Sequence, residues 1–211
     1  MRVASLSTST RFINLLPVKT FGLTATAFKL CVAHNANLHL EHTSKMTTKI
    51  YWIGEKQITK GKLGIMPRPR GNDWLEDEIK ALKFNQVDKL ISMLERHETH
   101  ELGLLKEQQI CEKHEIDFIN FPVKDVSVPN SQNDFIDLTK KLFNEIQSGK
   151  SIVIHCRMGI GRSSVLASAI MIKFGIEKTG VFEVIANHRK LKVPDTDEQK
   201  DWIDKVAEKI K

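Results

Sequence analysis

The 211-residue sequence holds only three cysteines, Cys31, Cys111 and Cys156. They are too few for a disulfide framework and show no zinc-ligand spacing. No uninterrupted apolar run is long enough to span a bilayer. No internal repeat is visible, which argues against a solenoid or a propeller. Acidic residues are missing from residues 1–40, which hold Arg2, Arg11, Lys19 and Lys29. Four of the six net positive charges therefore lie in that segment. The basic balance is a property of the tail, and it gives no ground for expecting nucleic-acid binding.

Residues 1–45 are Ser/Thr-rich and weakly patterned, a composition shared with transit peptides. Lys29 interrupts the best apolar run, so no clean signal-peptide core remains. Two readings stand. Either the segment is a disordered tail ahead of a start at Met46, or it directs the chain to an organelle. The first makes the protein cytoplasmic.

What remains, residues 46–211, suits one domain with an adequate core. Lys49–Ile53 and Lys62–Met66 read as strands, joined as a hairpin across Gly54 to Gly61. Asp73 to Lys83 reads as a helix that Asp73 could N-cap. Val87 to Leu94 is an apolar strand, Leu102 to His114 a helix, and Ile116 to Phe121 a strand. Asn133 to Gln147 carries Phe135, Leu138, Leu142 and Ile146 on one face and is stopped by Gly149. A strand from Ser151 follows, then helices near 162–174, 178–190 and 196–210. Such alternation predicts an α/β fold with a central, mainly parallel sheet and helices on both faces.

The run Ser151-Ile-Val-Ile-His155-Cys156-Arg157-Met158-Gly159-Ile160-Gly161-Arg162-Ser163-Ser164 carries the chemistry. Ser151 to Ile154 is a buried-strand pattern, and a helical pattern begins at Arg162. The loop between them sits where open α/β sheets bind ligands. Helix N-terminal N–H groups and the helix dipole there favour an anion. Gly159 and Gly161 allow backbone angles that turn successive N–H groups of residues 157–162 inward as an anion nest. The same field favours the thiolate of Cys156, a strong nucleophile. Arg162 supplies a planar fork for two phosphoryl oxygens. Ser163 is placed to hydrogen-bond the sulfur, and His155 to organise the loop. By average residue usage the combination arises by chance in roughly one sequence in 10⁵. A phosphate monoester is the natural occupant.

The His-Cys-x5-Arg-Ser pattern with its Gly-x-Gly-Arg-Ser ending resembles the signature of the cysteine-based protein tyrosine phosphatases. Within them it is most similar to the compact dual-specificity branch, including the kinase-associated phosphatase group and bacterial relatives. The resemblance covers about residues 49–211. It implies a dual-specificity-phosphatase-like fold and hydrolysis of a phosphomonoester through a cysteinyl-phosphate, without metal or organic cofactor. Catalytic Cys156, Arg162, Ser163 and an aspartic acid are implied, with phosphate held by Arg157, Met158, Gly159, Ile160, Gly161 and Arg162. The aspartic acid should lie on a loop after the preceding strand. Asp125, between Pro122 and Pro129, is the candidate; Asp117 lies in the strand and Asp134 opens a helix. The segment lacks the Trp-Pro-Asp triplet of the larger tyrosine phosphatases.

Further along, Thr196 reads as an N-cap with Gln199 at the capping-box position. By resemblance, Gln199 could also position the hydrolytic water. Arg189, Lys190 and Lys192 could attract an acidic substrate or form a solvated face. Arg68, Arg70 and Trp74 form either a cleft wall or a connector. The expected substrate is protein phosphotyrosine, with phosphoserine and phosphothreonine allowed, acted on by a monomer. Met158 and Ile160 stand where related lipid phosphatases carry paired lysines. Other classes stay open: a phosphate-binding pseudophosphatase or scaffold, a rhodanese-type sulfurtransferase, and an RNA 5′-triphosphatase. Thiosulfate turnover would single out the sulfurtransferase.

Overall fold

The computed structural model describes residues 47–210. The expectations for residues 1–45 fall outside them. Five strands form one sheet: β1 (Tyr51–Ile53), β2 (Lys62–Pro67), β3 (Lys89–Ser92), β4 (Asp117–Asn120) and β5 (Ser151–Cys156). Their order across the sheet is β1-β2-β5-β3-β4. Only β1 runs antiparallel, with Tyr51 opposite Ile65 and Ile53 opposite Leu63, as the hairpin reading requires. The other pairings, β2 with β5, β5 with β3 and β3 with β4, are parallel.

Among the described residues seven α-helices surround the sheet: α1 (Leu75–Phe84), α2 (Arg96–Glu101), α3 (Glu107–Lys113), α4 (Gln132–Gln147), α5 (Arg162–Lys173), α6 (Val181–Arg189) and α7 (Asp197–Ile210). The period-2 alternation of β5 divides them into two layers. Ile152 and Ile154 face α4, α5, α6 and α7, whereas Val153 faces the α1 and α3 side with Leu75, Ile79, Leu82 and Cys111. All six residues of β5 are buried, and so are the first eleven of α5. The strand and helix that flank the signature loop are thus the most enclosed elements of the fold, which fixes the loop in place. On α4 the expected apolar face is buried, capped at its start by Ser131 accepting from the Asp134 N–H at 3.3 Å.

The structure departs from expectation in three places. The helix predicted over 102–114 is shorter, Glu107–Lys113, and a separate helix, Arg96–Glu101, stands before it, the two parted by a turn at Gly103, whose φ is +69°. Asn72 packs onto that glycine: its N–H donates to the Gly103 carbonyl at 2.9 Å, and a Cβ on Gly103 would collide with Asn72 Oδ1. The helix missed altogether, α2, has the sequence Arg-His-Glu-Thr-His-Glu, which no hydrophobic periodicity reveals. Second, Asp73 caps nothing. A 3-10 turn over Asn72–Trp74 follows Gly71, and α1 begins at Leu75 without a side-chain cap. The positive φ of Asn72, +54°, bends the chain one residue too early for Asp73 to cap. Third, the strand predicted over 87–94 is shorter, Lys89–Ser92, although Met93 N–H still donates to the His155 carbonyl at 3.0 Å.

One side chain ties helices α4 and α7 together. Phe135 is fully buried, edge-on to Trp202 at 4.6 Å and tilted against Phe121 at 6.4 Å. Phe135→Ala should lower unfolding free energy by about 3–5 kcal/mol, since it removes the ring and leaves a cavity. Urea titration would check it, and a loss below about 1 kcal/mol would mean the site collapses onto the gap.

Candidate active site

Residues 157–161 leave the carboxyl end of β5 and enter α5 at Arg162. Cys156 ends the strand at 3 % exposure, and its Sγ lies 3.4 Å from Ser163 Oγ in the first turn of the helix. The two glycines serve different purposes. Gly159 has φ +66°, and a Cβ there would lie 2.5 Å from the Met66 carbonyl oxygen of β2. Gly161 does not supply the special backbone angle expected of it, since its φ is −81°. What it supplies is room: a Cβ would collide with Asp195 Oδ2.

Arg162 is the most heavily bonded residue of the site. It is 2 % exposed. Its Nη1 donates to Glu98 Oε2 at 2.6 Å and to the Val123 carbonyl at 2.9 Å; its Nη2 donates to Glu98 Oε1 at 2.9 Å. This is the bidentate fork that a guanidinium and a carboxylate form best. Nη2 also lies 2.8 Å from Asp125 Oδ1. Burial alone would lower the arginine's pKa, but Glu98, Cys156 and Asp125 override it and hold the charge firmly. Burial likewise works against an ionised Glu98. Its hydrogen bonds from Arg162 and from the Glu95 N–H, with the charges of Arg162 and Arg157, bring its pKa below the ordinary range.

Sequence reasoning misses Glu98, although a signal for it exists: Glu95 and Glu98 form a reciprocal capping box at the start of α2. The placing of Arg189 in a basic run facing substrate or solvent is corrected. It is 3 % exposed, its Nε donates to the Gly159 carbonyl and its Nη2 to the Met158 carbonyl, both at 2.9 Å. Its guanidinium also stacks 4.1 Å from the Tyr51 ring. Spacing could have shown this, because Val181, Ile185 and Arg189 fall four apart on one helix face. By holding these carbonyls on the outer side, Arg189 fixes how the Met158–Gly159 backbone is turned.

The remaining predicted residues fall as follows. His155 is fully buried, with Nδ1 3.4 Å from the Cys156 carbonyl. Its Nε2 lies 3.1 Å from Glu107 Oε1, within ion-pair distance but out of hydrogen-bond alignment. Arg157 turns sideways to Glu101 at 2.5 Å and Glu98 at 3.8 Å, so its charge is already matched. Met158 is exposed, and Ile160 packs on the core. Arg68 N–H donates to the Arg157 carbonyl at 3.3 Å, and Arg70 pairs with Glu78 while stacking 4.6 Å from half-exposed Trp74.

Asp125 is half exposed at the tip of a turn closed by Ser127 N–H on the Lys124 carbonyl, with Val126 at φ +55°. The segment is anchored twice, by Arg162 on the Val123 carbonyl and by Gln199 Nε2 on the Ser127 carbonyl at 3.0 Å. Thr196 caps α7 as expected, accepting from Gln199 N–H at 3.2 Å. The capping box is not completed, however. Gln199 Oε1 accepts from Asp195 N–H at 3.1 Å instead, one residue before the cap. Gln199 is therefore a fully buried clamp between the Asp125 segment and Asp195. Asp195, which sequence reasoning passes over, packs its Oδ2 against Gly161 of the loop.

Residues 74–208 match the family model of the dual specificity phosphatase catalytic domain. The chain belongs to this family. It is an enzyme of the protein tyrosine and dual-specificity phosphatase class, a hydrolase that acts on phosphorylated substrates. Solved structures agree in fold. Kinase associated phosphatase, crystallised with its catalytic-site cysteine replaced by serine, aligns with a TM-score of 0.71 at 15% identity, over 77% of this chain and 96% of that one. Tk-PTP in its active form gives 0.61 at 20% identity, over 76% and 97%. PTPMT1 in complex with PI(5)P gives 0.60 at 18% identity, over 70% and 91%. Among the described residues no helix is long and apolar enough to cross a membrane.

The Glu98–Arg162 pair makes a prediction for stability. Glu98→Gln should cost about 3–5 kcal/mol at neutral pH, because a buried guanidinium loses its counter-charge. Glu98 has a folded pKa below its ordinary 4.5, so the carboxylate's contribution is complete above that value and is lost as pH falls through the folded one. The gap in urea midpoint between wild type and Glu98→Gln should therefore close on acidification. A gap that stays constant with pH would mean the ion pair is not its source.

Proposed function

We propose that this phosphatase hydrolyses protein phosphotyrosine, with phosphoserine and phosphothreonine also accepted, through a cysteinyl-phosphate on Cys156. The observation that carries the reading is the convergence on one loop of Cys156, Ser163 at 3.4 Å and a buried Arg162 that Asp125 also reaches at 2.8 Å. In the first step the Cys156 thiolate attacks phosphorus and the bond to the leaving oxygen breaks. Asp125 gives its proton to that oxygen, which departs as the tyrosine phenol. Water then attacks phosphorus, the sulfur–phosphorus bond breaks, and Asp125 takes the water's proton. Ser163 stabilises the departing sulfur by a hydrogen bond. Arg162 binds the equatorial oxygens in both steps, held in orientation by Glu98.

Kinase associated phosphatase has a catalytic-site cysteine, the residue replaced by serine in its crystal structure, which supports Cys156 in the role here. The PTPMT1 structure contains a phosphoinositide, so a lipid phosphate is the competing substrate class. Protein is favoured because Arg157 is matched by Glu101 and Glu98, which leaves little free charge at the loop for further phosphates. The expected setting is a monomer in the cytoplasm.

Para-nitrophenyl phosphate hydrolysis in EDTA tests the mechanism. Cys156→Ser should abolish turnover, and Asp125→Ala should lower kcat by about 10²–10⁴-fold. A wild type that binds vanadate but never turns over would be a scaffold and would overturn the proposal. An unaffected Asp125→Ala would remove Asp125 from the acid role.

A further inference from the structure

Only one charged side chain stands in the chain between Cys156 and Arg162. It belongs to Arg157, the residue that follows the cysteine. It is 36 % exposed, with Nη2 2.5 Å from Glu101 Oε1 and Nη1 3.8 Å from Glu98 Oε1. Both oxygens of Glu98 are already engaged by Arg162, at 2.6 and 2.9 Å. The carboxylate that serves Arg157 is therefore Glu101. For its own helix Glu101 is a poor choice. It closes α2, where the unpaired carbonyls of the last turn disfavour an acid. Its place is nevertheless held. Leu102 N–H donates to the Glu98 carbonyl, and Asn72 N–H donates to the Gly103 carbonyl, both at 2.9 Å. From the same segment as Asn72, Arg68 N–H donates to the Arg157 carbonyl at 3.3 Å. Residues 68–72 thus tie down the backbone on both sides of the ion pair. The guanidinium of Arg68 itself bonds the Pro69 carbonyl at 3.1 Å.

We propose that Glu101 is a specificity-determining residue: by occupying Arg157 it makes the loop a site for one isolated phosphate group and turns away substrates that carry a second phosphate beside the first. The inference rests on the reading of this loop as the phosphate site. The reacting phosphate is assigned to the loop N–H groups and Arg162, whereas Glu101 is bonded to Arg157. A second phosphate on the neighbouring carbon would need the next cation, and that is Arg157. There it meets a guanidinium already paired and the negative charges of Glu101 and Glu98. To gain Arg157 it has to displace Glu101, and it then stands beside the carboxylate it displaced. Such discrimination comes from a repulsive group set against the wrong substrate, not from a new contact to the right one. It requires no strong ion pair, and an exposed pair adds little to stability in any case.

The test compares a phosphotyrosine peptide with an inositol lipid that carries phosphates on adjacent ring carbons, in a water-soluble short-chain form. Release of inorganic phosphate would be followed at fixed pH and ionic strength for wild type, Glu101→Gln and the double variant Glu101→Gln/Arg157→Gln. Glutamine keeps the shape of Glu101 and drops its charge. Glu101→Gln should raise kcat/KM for the bisphosphate by about five- to tenfold, mainly through KM, while the peptide changes by less than about twofold. The gain should vanish in the double variant, because the freed Arg157 is its source. No gain for the bisphosphate, an equal change for both substrates, or a gain that survives the loss of Arg157 would overturn the inference and leave the phosphatase mechanism standing. A wild type that turns over neither the peptide nor para-nitrophenyl phosphate would instead remove the reading of the loop, and this inference with it.

Discussion

The buried fork between Arg162 and Glu98 is the constraint on which the rest of the site depends. A guanidinium at the start of a fully enclosed helix would be strongly unfavourable without a counter-charge. Glu98 supplies it from α2, a six-residue helix with no apolar residue of its own. The pair then organises three separate pieces of chain. It joins α5 to α2, it brings Arg162 against the Val123 carbonyl of the acid-bearing segment, and it leaves Nη2 within reach of Asp125. Because the fork is already ordered, a bound oxyanion does not have to freeze a long side chain that would otherwise lose about 2 kcal/mol of rotamer freedom.

The loop proposed to bind phosphate is supported in the same way from outside. Arg189 holds two of its carbonyls, Met66 of β2 closes on Gly159, and Gln199 links Asp195 to the Asp125 segment. None of these three residues is expected to touch a substrate. Each fixes backbone whose direction decides whether N–H groups face an anion. Much of the chemistry at this site is therefore carried by residues on α2, α6 and α7, far from the signature in sequence.

What can be read from the chain follows from how local each signal is. The strand–loop–helix around Cys156 is contiguous, with a continuous apolar strand before it and a helical pattern after it, and both elements stand where expected. The β1–β2 hairpin and the face of α4 are equally local and equally legible. Glu98, Arg189 and Asp195 escape because each works through a contact with a distant segment, and a single sequence does not state such pairings. The place of Gln199 in a helix cap is legible but its partners are not, since one of them, Ser127, lies 72 residues away. The turn at Gly103 between α2 and α3 is hidden because the residue packed on it, Asn72, lies on another loop.

Val126 gives the Asp125 segment a further property. A β-branched residue at φ +55° sits in a region its side chain disfavours, at a cost on the order of 1–3 kcal/mol. The anchors on either side, at Val123 and Ser127, hold the turn in that shape. The segment is thus a bent lever kept under tension from both ends. Both anchors must hold for Val126 to stay at positive φ, and that turn is what sets the Asp125 carboxyl group against Arg162. The position of the acid is thus set by how well two buried side chains grip two carbonyl oxygens.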